Sequence, residues 1–204
     1  MKKRKTKSGK ATDVCALVSG GLDSCVLVAE LAKRFRKVHP VYIRQGLIWE
    51  RAELRHLRQY LRAIGVGPLT VLDMPVRDLY GKHWGVTGQR VPGARTRDET
   101  VYLPGRNLML LSKAAVFCEL RKIPVIAVGM LAGNPFPDAT PKFFRDFSRT
   151  SGVKVIVPFR KLSKAEVARR GRHLPLHLSF SCLAPQNGRH CGRCNKCAER
   201  QRVM

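Results

Sequence analysis

The sequence predicts an α/β fold, a parallel sheet with helices on both faces, closed by a C-terminal four-cysteine knuckle. Three observations carry this expectation. Short apolar runs rich in branched residues alternate with segments of helical period, the pattern of strand–helix–strand units whose sheet is covered on both sides. A glycine-rich turn, Ser19-Gly20-Gly21-Leu22-Asp23-Ser24, links the first apolar run to the first helical segment. Four of the seven cysteines lie between Cys182 and Cys197, the last three at intervals of three.

In chain order, residues 14–18 read as a buried strand and residues 24–35 as a helix with Val26, Leu27 and Leu31 on one face. Residues 38–43 form the second strand. The helix expected over residues 50–64 spaces Leu54, Leu57, Leu61 and Ile64 by 3, 4 and 3, and it stops at Gly65-Val66-Gly67-Pro68. Residues 69–72 are a third strand. Residues 74–105 hold Pro75, Pro92 and Pro104 without a sustained period and read as a long loop or lid, a length that marks functional loops. A helix over 107–121, a strand at 125–128, a Pro-rich loop, a helix near 143–149, a strand at 153–157 and a helix over 163–170 complete the alternation. There is no internal repeat. In such sheets ligands bind at the carboxyl ends of the strands, where strand order reverses.

The division expected is a disordered basic tail at residues 1–10, an α/β domain with the glycine-rich turn at 11–178 and a cysteine-rich C-terminal segment at 179–204. The tail has six basic residues and no acid. Across the chain 39 Lys and Arg face 14 Asp and Glu, a formal charge of +25, which predicts attraction to phosphates without establishing nucleic-acid binding. No apolar run approaches the roughly 20 residues that cross a bilayer, so a soluble, cytoplasmic protein without a membrane partner is expected. Seven cysteines in such a protein argue for metal or catalysis over disulfides. Cys15, Cys25 and Cys118 sit in apolar segments and read as core thiols.

The glycine turn follows a strand and opens a helix, where backbone amides and the helix N-terminus favour an anion. Ser19 and Ser24 offer hydroxyls to phosphate oxygens, and Asp23 either caps the helix or holds Mg2+. The Gly-Lys of a Walker loop is missing here, and so is the Gly-x-Gly-x-x-Gly dinucleotide fingerprint. The bland alternative is a strand–turn–helix with a capping Asp. At the other end, Cys182, Cys191, Cys194 and Cys197 can surround a tetrahedral Zn2+, with Gly188 and Gly192 supplying tight turns. Four thiolates leave no open position, so the zinc is structural, and His190 is left out of the shell. An iron–sulfur cluster or a redox pair would use the same thiols.

The turn matches the Ser-Gly-Gly-x-Asp-Ser loop of the PP-loop ATP pyrophosphatases, with Val18 before it and Cys25, Val26, Leu27 and Val28 continuing the helix. Together with the cysteine knuckle, Pro104-Gly105-Arg106-Asn107, Phe136-Pro137-Asp138 and Leu162-Ser163-Lys164-Ala165-Glu166, the chain resembles the 7-cyano-7-deazaguanine synthase family. The resemblance implies a Rossmann-like, adenine nucleotide alpha hydrolase-like fold. It also implies the ATP- and Mg2+-dependent conversion of 7-carboxy-7-deazaguanine and ammonia to the 7-cyano base that feeds queuosine and archaeosine, by a homodimer. On this reading Val18, Ser19, Gly20, Gly21, Leu22, Asp23, Ser24 and the helix start hold ATP. Arg106 and Asn107 stabilise developing charge or form a Pro-Gly turn with an N-cap Asn, Asp138 meets metal or purine edge or is a simple turn residue, and Lys161 meets phosphate or solvent. The chain departs from the family at Ile43-Arg44-Gln45-Gly46-Leu47, where Asp-Tyr-Gly-Gln is usual, and in the loop after Met74.

Two rivals share these motifs. A tRNA-modifying PP-loop enzyme such as a sulfur transferase fits the charge, and Arg51, Arg55, Arg58 and Arg62 at intervals 4, 3 and 4 form a basic stripe suited to weak RNA binding, or a solvated face. Sulfur transfer needs a reactive thiol near ATP, and Cys25 alone adjoins the turn. A noncatalytic zinc-knuckle RNA-binding module needs stacking aromatics, of which Phe180 alone is close.

Overall fold

The computed structural model describes residues 12–204, so the basic tail lies outside the described residues. The elements run β1 (Asp13–Leu17), α1 (Leu22–Arg34), β2 (Lys37–Arg44), α2 (Glu50–Ala63), β3 (Thr70–Asp73), α3 (Arg77–Tyr80), α4 (Trp84–Thr87), α5 (Arg106–Arg121), β4 (Val125–Ala127), α6 (Pro141–Ser151), β5 (Lys154–Ile156), α7 (Lys164–Arg170) and α8 (Asn195–Gln201). All strand pairs are parallel, in the order β3-β2-β1-β4-β5. The parallel sheet is the one the alternation predicted; its strand order reverses at β1, and β1 and β4 lie side by side with their carboxyl ends open between the helices.

Each face of the sheet buries its own core because successive side chains of a strand point to opposite sides. Val14, Ala16 and Val18 pack with α1, α2 and α7 through Val26, Leu57, Tyr60 and Val167. Cys15, Val41 and Ile126 pack with α5 and α6 through Leu111, Cys118 and Phe144. Burial of each Val, Leu, Ile or Phe among them contributes about 1.5–3 kcal/mol. Cys15, Cys25 and Cys118 are fully buried, as read from their apolar surroundings.

The expected elements are all present, with ends moved by one or two residues. Three further differences stand out. The segment 74–105 is not without structure: it contains α3, α4 and a 3-10 turn at Asp98–Val101. One-turn helices are too short to leave a period in sequence, and these are fixed from outside, by Trp84 stacking on Trp49 at 5.6 Å and by Tyr80 Oη donating to Pro104 O at 2.9 Å. Next, α6 is longer than residues 143–149 at both ends, because Thr140 Oγ1 caps it by accepting from Phe143 N and Pro141 suits the first helical position. The third is α8, a helix after Cys194 that the sequence reading did not foresee.

Candidate active site

The glycine turn curls at the open end of β1. Gly20 holds φ +78, and a Cβ there would stand 3.1 Å from Leu57 Cβ and 3.2 Å from Glu53 O, so both the backbone and the space demand glycine. Ser19 and Ser24 interlock: Ser19 N donates to Ser24 Oγ at 3.1 Å, their hydroxyls lie 3.1 Å apart, and Gly21 N donates to Ser19 Oγ. Of the motif residues, Val18, Ser19, Gly21, Asp23 and Ser24 line a cleft, whereas Leu22, Cys25, Val26, Leu27 and Val28 are turned into the core.

Asp23 does not cap α1. The N-cap is Gly21, without a side-chain bond, and Asp23 lies in the first turn facing the cleft. There Lys164 Nζ donates to Asp23 Oδ2 at 2.9 Å and stands 3.2 Å from Glu199 Oε1. Burial opposes the Lys164 ammonium, but these two carboxylates outweigh it and raise its pKa above the ordinary lysine value. Burial pushes the Asp23 carboxyl up against the pull of that lysine. Asp23 Oδ1 is buried with no partner. An unpaired carboxylate oxygen beside a phosphate turn is the donor a hard cation seeks, so the residues fit Mg2+.

The cleft has an inner chamber of about 190 Å3 between the ends of β1, β2 and β4 and an outer one of about 320 Å3 beneath the loop and the knuckle. Ser19, Gly21, Asp23, Glu53, Arg106 and Gly129 line both. Tyr42 Oη donates to Glu53 Oε2 at 2.7 Å. Burial raises the Glu53 pKa to about 8, with the Tyr42 bond and Arg106 pulling the other way, so this carboxyl is largely protonated at neutral pH. Arg106 Nε donates to Gln45 Oε1 at 2.9 Å and its guanidinium lies 5.9 Å from the Trp49 ring centre. The departure at residues 43–47 thus orients Arg106.

Asn107 is not an N-cap either. Gly105, at φ +68, caps α5, and Asn107 sits in its first turn. Its backbone N and Nδ2 donate to the two oxygens of Asp138, at 2.8 and 3.2 Å, so Asp138 closes the helix N-terminus from a separate segment. Asn107 lines the inner chamber and Asp138 does not. Lys161 is exposed and lines neither chamber. Lys164, three residues on, and Lys196 line the outer one.

The sulfurs of Cys182, Cys191, Cys194 and Cys197 lie within 4.8 Å of one another, a set that suits a tetrahedral metal ion. Amides turn toward them: Cys191 N to Cys182 Sγ at 3.3 Å, and Leu183 N and Cys197 N to Cys194 Sγ at 3.4 Å. His190 accepts from Ser181 N and packs against Phe180, which is fully buried. Two sets of bonds join the cluster to the cleft. Phe180 N donates to Gly20 O at 2.8 Å, and the loop is tied by Ala94 N to Arg193 O and Asn195 N to Pro92 O, both 3.0 Å.

Sequence reasoning missed Glu53, Tyr42, Lys164 and Lys196. Glu53 carried a signal, since it falls on the apolar face of α2 one turn before Leu57. For Lys164 the signal was the Ser163–Glu166 capping box, which fixes a helix start at that lysine.

Comparison with known proteins agrees with this geometry. The family described as Queuosine biosynthesis protein QueC matches residues 13–204. A 7-cyano-7-deazaguanine synthase of Anaeromyxobacter dehalogenans is 30% identical over 96% of this chain and 92% of its own length. Those of Methanothermobacter thermautotrophicus and Leptospira interrogans are 29% and 28% identical over 93% and 91% of this chain and 92% and 84% of their own lengths. Among solved structures, a 4-thiouridine synthetase–RNA complex with bound ATP aligns with TM-score 0.56, 19% identity, 94% of this chain and 50% of that one. The U34-tRNA thiolase NcsA from Methanococcus maripaludis aligns with TM-score 0.55, 14% identity, 88% of this chain and 62% of that one. These two show the fold alone. The family profile spans every strand, the phosphate turn and all four clustered cysteines, and the chain belongs to the QueC family of queuosine biosynthesis proteins.

Proposed function

We propose that the protein is a 7-cyano-7-deazaguanine synthase, which uses ATP to convert 7-carboxy-7-deazaguanine and ammonia to the 7-cyano base. One observation carries the reading: in a chain of this family, the phosphate turn and the unpartnered Asp23 oxygen open into the chambers that Arg106 and Glu53 share. In the reaction the substrate carboxylate is activated by ATP, ammonia displaces the activating group to give an amide, and a second activation removes the amide oxygen. The turn amides with Ser19 and Ser24 bind phosphates, and Lys164 and Lys196 offset their charge. Asp23 would hold Mg2+, which neutralises phosphate oxygens as charge shifts onto them. Arg106, fixed by Gln45, stabilises the negative charge that grows on the reacting carboxyl. Asn107 positions the substrate, with Asp138 setting its orientation. The Glu53–Tyr42 pair, whose carboxyl burial pushes toward the neutral form, offers hydrogen bonds to a planar base.

In this reading residues 11–178 hold ATP, while residues 179–204 are a brace organised by Zn2+ on the four cysteines and take no chemical step. The protein acts in the cytoplasm as a homodimer, which light scattering of the purified protein checks. For the sulfur-transfer rival, the Cys25 thiol beside the turn is buried, donates to Gly20 O at 3.5 Å and has its pKa raised by that burial, and Cys182, which lines the outer chamber, belongs to the four-cysteine cluster. Incubation with ATP, Mg2+, ammonium and 7-carboxy-7-deazaguanine, followed by mass spectrometry, should yield the nitrile. ATP turnover that ends at the amide or a conjugate would reject the assignment.

A further inference from the structure

The arginine stripe of α2 takes no part in the cleft. Arg51, Arg55, Arg58 and Arg62 are exposed, and among the described residues none has an acidic partner. Three of them, Arg51, Arg55 and Arg58, line a recess of about 610 Å3 that has no acidic residue in its walls. Its far wall is the knuckle hairpin, through Pro185, Asn187 and Gly188. Asn187 and Gly188 hold φ of +48 and +72 between the paired Gln186 and Arg189, the backbone of a two-residue hairpin turn. Arg55 Nη2 donates to Gly188 O at 2.7 Å, and a Cβ at Gly188 would fall 2.6 Å from that nitrogen. The two walls are thus bonded together, and the second rests on the cysteine cluster. A neighbouring recess, lined by Asn187 and Arg189, extends the basic surface along the hairpin.

The spacing selects a polymer over a lone phosphate. Positions three and four apart on a helix repeat every 5–6 Å or so, a step suited to successive phosphates of an extended strand, whereas a single phosphate needs one or two of these cations. Phe180 is fully buried and His190 is half-buried against it, whereas the four arginines are exposed, so contact is chiefly with the backbone and not the bases. RNA is the single-stranded phosphodiester polymer that a cytoplasmic protein meets in bulk. We propose that the recess between α2 and the knuckle hairpin binds the phosphate backbone of RNA, independently of sequence and apart from the ATP cleft.

The test uses metal-loaded protein, whole and lacking residues 1–11, titrated into a labelled single-stranded RNA of about 16 nucleotides and followed by anisotropy. Both forms should bind with Kd between about 10⁻⁶ and 10⁻⁴ M at physiological salt. R51A/R58A/R62A, which spares the Arg55 bond to the hairpin, should weaken binding about tenfold and lower the slope of log K against log salt by about 2. Nitrile formation should be unchanged by it. A variant of equal charge loss elsewhere, K37A/K113A/R121A, should bind within about twofold of the parent. Equal loss in both variants, RNA displaced by equimolar tripolyphosphate, or no binding once the tail is removed would each overturn the proposal. None of the three overturning outcomes depends on nitrile formation, so this inference and the proposed reaction fail separately.

Discussion

A single carboxyl, Glu53, shows how burial sets chemistry at the residue scale. Its pKa of about 8 lies above the ordinary 4.5, so folding takes up a proton in the intervening pH range. The stability contributed by this group is complete below about pH 4.5 and is lost as pH rises through 8. Glu53→Gln still accepts the Tyr42 hydroxyl and needs no proton. Its melting temperature should hold nearly level from pH 6 to 9 where the parent's falls, and parallel curves would show that Glu53 is ionised throughout. Lys164 makes the opposite case, a charge that burial keeps because two carboxylates hold it. Lys164→Met leaves Asp23 without its cation and Glu199 with Lys196 alone, and should cost on the order of 3 kcal/mol, with loss of ATP turnover. Lys161→Met, at an exposed site, should stay within about 0.5 kcal/mol of the parent and keep its rate. The sequence offered both lysines in one stretch and gave no reason to prefer the second, because the distance to Asp23 is set by α7 docking against α1.

At the scale of elements, the glycine turn is a strand–turn–helix unit pinned from three sides. Helix α2 packs under Gly20, Phe180 bonds to its carbonyl, and Ser24 ties back to Ser19. Gly20→Ala meets a left-handed backbone and a neighbour at 3.1 Å together. It should destabilise the protein by about 1–3 kcal/mol and raise the KM for ATP, as urea titration and initial rates would show. Unchanged values for both would mean that the turn relaxes freely and does not hold the nucleotide. The strands and long helices were legible because each carries several repeats of its own period. Helices α3 and α4 were not, since one turn has no repeat and their order comes from Trp49 stacking on Trp84 and from Tyr80 bonding to Pro104.

Across the whole molecule, the cysteine cluster acts as a clasp. It holds Phe180 against the turn and residues 92–96 against the knuckle, and a metal ion bound by the four thiolates would contribute on the order of 10 kcal/mol to local folding. Chelation should speed hydrogen exchange first at residues 179–200 and then at 19–24, with weaker ATP binding. Retained protection at Cys191, Cys194 and Cys197 would show that the fold does not need the ion. The sequence alone determined the alternation of strands and helices with a glycine turn after the first strand, the burial of Cys15, Cys25 and Cys118 and the clustering of four thiols, because period, glycine and spacing are local properties of the chain. Tertiary structure decided which residues face the cleft. It gave Asp138 to Asn107, set Lys164 in place of Lys161 beside Asp23, and raised Glu53 by enclosing it, since contacts across 31, 141 and 11 residues of chain are made by packing and leave no trace in any short segment.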